Sequence, residues 1–72
     1  MNFDSKEQLI EKIKEQFGVV LPNEKSFLNE DEHLLYTQLP KAYEFTILSW
    51  LDKNGIQHCA HTKHNYWLYL QN

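Results

Sequence analysis

Three imidazoles and one thiol fall within seven residues, His58-Cys59-Ala60-His61-Thr62-Lys63-His64. Histidine nitrogens and a thiolate are favoured zinc ligands, and four of them can close a tetrahedral site. On a strand, Cys59 and His61 point one way and a hairpin brings His64 back towards them, but His58 faces the opposite side. The chain has one cysteine, so it lacks the paired thiols of standard zinc modules. The expectation is a solvated hairpin with a half-buried thiol and no cofactor. A small zinc-binding protein using His58, Cys59, His61 and His64 is the alternative. As a nucleophile, Cys59 would need a base oriented by a third group. These histidines are neighbours on one hairpin and do not converge from separate elements. Gly18 and Gly55 sit in no phosphate-cradling pattern, so no catalytic residue is assigned and the chain is expected not to be an enzyme.

The second candidate group is Glu30-Asp31-Glu32. Consecutive acids on a helix point in different directions, and no glycine-containing calcium loop surrounds them. Following Asn29, they match a capped helix start whose dipole favours negative charge. The third group is aromatic. Ten of the 72 residues are Phe, Tyr or Trp, too many to bury easily in so short a chain. In the segment Tyr66-Trp67-Leu68-Tyr69-Leu70, Trp67 and Tyr69 share one strand face while Tyr66, Leu68 and Leu70 share the other. One of those faces must look outward unless something covers it, and tyrosine and tryptophan are common anchors of protein interfaces.

Several elements must position these groups. Ser5 with Gln8, or Asp4 with Glu7, forms a capping-box pattern, and Leu9, Ile10, Ile13 and Phe17 make one helical stripe closed by Gly18. This predicts a helix over about 5–17. Val19-Val20-Leu21-Pro22 reads as a strand stub or apolar linker, and 23–29 as a loop or turn anchored by Phe27 and Leu28. Residues 30–39 lean to helix, although Leu35, Thr37 and Leu39 alternate as a strand would. Pro40, the spacing of Tyr43, Ile47, Trp50 and Leu51, and Asn54-Gly55-Ile56 favour a further helix over 41–54. The β-favouring Tyr43, Phe45, Thr46, Ile47 and Trp50 argue for a strand there. Segments 56–62 and 66–70 flank a polar turn and predict a C-terminal antiparallel β-hairpin. The fold class is α+β, one small domain over 1–72 with an N-terminal helix, one or two further helices and that hairpin.

Charge narrows the function classes. Ten acids against seven lysines give −3, and no arginine occurs. Residues 1–32 carry eight of the acids and four lysines, a net of −4, whereas the remainder nets +1 and holds all four histidines. Helices followed by a hairpin can describe a winged helix, a nucleic-acid-binding regulator. The candidate reading helix offers only Lys41, Glu44, Ser49, Asp52 and Lys53, and arginine, the commonest guanine reader, is missing. Nucleic acid is therefore a disfavoured partner. No run reaches the 18–20 apolar residues of a spanning helix, and a lone free thiol fits a reducing cytoplasm. The leading expectation is a non-enzymatic, acidic protein-binding module, an inhibitor, neutraliser or adaptor of another macromolecule with a basic surface, a nucleic-acid enzyme or a toxin among them. Tyr66, Trp67 and Tyr69 are its anchors and Glu30, Asp31 and Glu32 its steering charges. A second copy of the chain is the other partner considered. The arginine-free composition points to an AT-rich bacterial or phage genome.

Overall fold

The computed structural model describes residues 3–70. Helix α1 spans Lys6–Phe17 and buries Leu9 and Ile13 from the expected stripe. Ser5 takes the extended backbone of an N-cap without using its hydroxyl; instead the Gln8 side chain accepts from the Asp4 N–H at 3.0 Å. The reciprocal capping box is therefore not formed; Gln8 reaches back one residue further, to the N–H that precedes the cap. Gly18 ends the helix at φ 71°, its N–H donating to the Lys14 carbonyl. Residues 19–22 form no strand: Val19 and Leu21 turn into the core while Val20 stays exposed.

The segment after Asn29 departs from the helical expectation. Leu34–Gln38 is a strand, β1, with the period-2 alternation that Leu35 and Thr37 already carried. The Asn29 side chain, which resembles an N-cap in the sequence, faces a strand edge instead. Its Oδ1 accepts from the Tyr36 N–H at 2.6 Å, and its Nδ2 donates to the Tyr36 and Glu24 carbonyls at 3.0 and 3.1 Å. One amide therefore substitutes for a neighbouring strand. Phe27 is no anchor either, being 81% exposed in the single 3-10 turn Phe27–Asn29.

Helix α2 runs over Glu44–Lys53 after a 3-10 turn at Lys41–Tyr43. Its end prevails over the β-favouring composition. The Ile56 N–H donates to the Leu51 carbonyl and the Gly55 N–H to Asp52, with Gly55 at φ 71° and Ile56 buried, which is a Schellman motif. The hairpin forms as expected, with a shorter first strand, β2 over Gln57–Ala60, and a second strand, β3 over Asn65–Tyr69, that begins and ends one residue earlier. The turn takes the intervening residues because His64 adopts φ 64° and Asn65 bonds back to Thr62.

The sheet order is β1-β3-β2, with both neighbours antiparallel to β3. β1 and β2 thus run parallel on either side of β3, joined through α2. The inward residues Leu35, Leu68 and Leu70 form one core cluster with Leu9 and Ile13 of α1 and Ile47 and Leu51 of α2. The arrangement is α+β in two layers, helices on one face of the sheet and no described element on the other.

Removing the Asn29 staple leaves the edge of β1 that points away from β3 without its partner. Asn29→Ala is expected to lower stability by about 2 kcal/mol, since several hydrogen bonds each worth about 1 kcal/mol are lost. A lowered urea midpoint at unchanged slope checks this.

Candidate functional site

The uncovered sheet face is where the sequence-selected aromatics meet residues that sequence reasoning passed over. The register sets Leu34, Tyr69 and Gln57 in one row and Tyr36, Trp67 and Cys59 in the next. Tyr36 turns its backbone groups to Asn29, away from β3, so Tyr36 and Trp67 form a non-hydrogen-bonded pair, whose side chains approach closely. Their ring centroids lie 4.6 Å apart. His61, just past β2, completes the group. Its ring packs edge-on against Tyr36 at 5.3 Å and Trp67 at 6.0 Å, with 2.8 Å between His61 Nδ1 and the Tyr36 hydroxyl. Tyr69 stands beside them, 39% exposed. Tyr36, Trp67 and His61 therefore form a pre-packed platform, held by mutual contact on a rigid sheet. Tyr36 was hidden by the helical reading of 30–39; the spacing of Leu34, Tyr36 and Gln38 was the available signal.

Tyr66 belongs to the other face. It is buried, and its hydroxyl donates to the Glu44 carboxylate. It is not placed to meet a partner, as the alternation with Leu68 and Leu70 already implied. The other Glu44 oxygen accepts from His64 Nδ1–H at 2.7 Å. This trio ties the first turn of α2 to the β2–β3 turn. The Tyr66 hydroxyl bond, then His64, hold the Glu44 carboxyl below its ordinary range, while the same carboxylate pushes the Tyr66 phenol up.

The histidine–cysteine cluster does not converge. His58 turns inward, 3.7 Å from Asp52; His61 joins the aromatics; His64 is held by Glu44; Cys59 is exposed on the outer face. Adjacent residues on strands and turns point to different places. Among the described residues, no group of three or more His, Cys, Asp or Glu is placed to hold a metal ion.

Glu30, Asp31 and Glu32 are exposed in the turn that leads into β1, not on a helix. Asp31 accepts from the His33 N–H at 2.8 Å, and the Glu32 carbonyl accepts from the Lys6 N–H at 3.0 Å. The Glu7 and Glu32 carboxyls hydrogen-bond to each other, which lowers Glu7 and raises Glu32. Buried Lys6 donates to the Asn29 carbonyl. The acidic turn is thus fixed beside the Leu34–Tyr69 end of the outer face. A separate exposed aromatic, Phe45 at 80%, sits on α2 in a shallow groove with Phe17 and Trp50. Those two are half-buried against the core margin, with Trp50 against the rings of Phe3 and Phe17.

No family model matches the chain, and neither curated proteins nor solved structures give a match. Among the described residues, no helix is long and apolar enough to cross a membrane.

The Glu44 trio sets a pH dependence at both ends. A carboxyl lowered on folding contributes stability above its unfolded pKa and loses it as pH falls through the folded value. A phenol raised on folding contributes stability below its unfolded pKa and loses it as pH rises through the folded value. Tyr66→Phe is expected to move the acid-unfolding midpoint to higher pH and to remove an alkaline loss of stability. Circular dichroism from pH 2 to 11.5 reads both.

Proposed function

We propose that this chain is a non-enzymatic protein-binding module that uses the outer face of its sheet. The observation that carries the reading is the platform of Tyr36, Trp67 and His61 with exposed Tyr69 beside it, on the side that no described helix covers. Rigid aromatic side chains already packed in the free protein lose little conformational freedom on binding, which is how interface anchors gain affinity. The occupant is a protein surface that is apolar at its centre and basic at one side. The fixed acids Glu30, Asp31 and Glu32 flank the platform, and the chain carries −3 overall. That charge repels a phosphate backbone, and no arginine is present to offset it. By covering a basic surface the module acts as an inhibitor, neutraliser or adaptor, with acids that raise the encounter rate and aromatics that slow release.

The test starts with capture from a lysate of the source organism and continues with the captured protein purified. In titration against that protein, Trp67→Ala combined with Tyr69→Ala is expected to weaken binding by at least about a hundredfold, as for two anchor residues. Glu30→Gln with Asp31→Asn and Glu32→Gln is expected to slow association and flatten its salt dependence. A folded double aromatic variant that binds with unchanged affinity overturns the reading.

A further inference from the structure

The two edges of the sheet are treated differently. Along β1, the outward backbone groups of Tyr36 are taken by Asn29. Among the described residues, none covers β2 in this way. The His61 N–H donates to the Asn65 carbonyl, which fixes the phase of the β2–β3 ladder: Gln57, Cys59 and His61 bond to β3. The alternate residues, His58 and Ala60, therefore direct their N–H and C=O groups away from the sheet. Ile56 and Thr62 bound this stretch, since the Ile56 N–H is used by Leu51 and the Thr62 carbonyl by Asn65.

We propose that this edge pairs with the same edge of a second copy, β2 against β2 antiparallel, on a two-fold axis through Cys59. In that register His58 of each copy faces Ala60 of the other, and both pairs are hydrogen-bonded, so all eight outward groups are used in four bonds, the Ala60 carbonyl exchanging its weak Cys59 Sγ contact at 3.5 Å for a backbone N–H. A slip of two residues either way pairs His58 with itself or Ala60 with itself and brings in Ile56 or Thr62, whose groups are taken. The occupant is a second copy because this edge is complementary to itself in that register. Gln57-His58-Cys59-Ala60 has no Lys, Arg, Asp or Glu, so like fixed charges do not oppose one another. Small Ala60 leaves room for the imidazole opposite it, and Gln57 meets His61. The result is one six-stranded sheet with two aromatic platforms on the same face, an isologous contact that closes at two copies. The pairing is made by backbone groups of His58 and Ala60 and the binding reading rests on the rings of Tyr36, Trp67 and Tyr69, so the mass of the free chain and the affinity for a partner test the two separately.

The register also provides its own reporter. The two Cys59 residues form the central non-hydrogen-bonded pair, with Cα atoms about 4.5 Å apart, at the short end of the range a disulfide spans. Diamide takes two electrons and two protons from the thiols, becoming the hydrazine as the Sγ–Sγ bond forms. The test is sedimentation equilibrium of the reduced full chain up to about 1 mM, the range where weak pairing becomes visible. The wild type and Cys59→Ser are expected at twice the monomer mass. Cys59→Lys, which sets two ammonium groups face to face, and Ala60→Pro, which removes an outward N–H from an edge strand, are expected to weaken pairing at least about tenfold. Diamide is expected to convert the wild type to a disulfide-linked dimer that retains its far-UV spectrum. A reduced wild type that remains monomeric at the highest concentration overturns the proposal. A dimer that persists in Cys59→Lys does so too, and that variant carries the test should Ala60→Pro fail to fold.

Discussion

Two short helices can cover only one face of a three-stranded sheet, and the rest of this structure follows from that shortage. The apolar side chains of α1 and α2 meet Leu35, Leu68 and Leu70, and the core is filled from that side alone. The central strand β3 is the pivot, hydrogen-bonded on both edges and buried on one face. Its alternate residues have no layer to enter, so Trp67 and Tyr69 are left on the open side. There they pack laterally against Tyr36 and His61. This lateral packing hides part of each ring while leaving a preorganised surface, which is the combination a binding face needs.

The polar groups at the margins serve the same two-layer plan. Asn29 closes the β1 edge, buried Lys6 fastens the loop carbonyl of Asn29 to the start of α1, and Glu44 fastens α2 to Tyr66 and His64. Each of these joins an element end to the sheet through a hydrogen bond that a larger core would make unnecessary. Among the described residues, the β2 edge has no corresponding device. An edge strand left unpaired invites another strand, and here the uncharged sequence of β2 admits one of its own kind.

Much of this was legible in the residues. The stripe of α1 and its Gly18 end, the glycine-terminated α2 and the alternation of β3 are local signals, and local signals are what a sequence carries directly. The errors came where one residue type serves two purposes. Asn29 before three acids has the chemistry of a helix cap, but the same amide also mimics a strand, and only the arrival of β1 beside it decides between them. That error concealed Tyr36, one of the three rings of the platform. The histidines show that proximity in sequence is not proximity in space. His58, His61 and His64 are close in sequence, but strand alternation and the positive φ of His64 send them to three different environments. Tyr66 was separable from Trp67 and Tyr69 by parity alone; what parity could not supply was Glu44, twenty-two residues away, as the reason a tyrosine is buried there.

The central claim is that partner recognition takes place on the open face of the sheet. Amide and indole chemical shifts of the isotope-labelled protein, followed as the purified captured partner is added, test it most directly. The account predicts perturbations concentrated at Leu34, Tyr36, Cys59, His61, Trp67 and Tyr69, with the outward faces of α1 and α2 unchanged. Perturbations confined to the helices, around Phe17, Phe45 and Ser49, would contradict it.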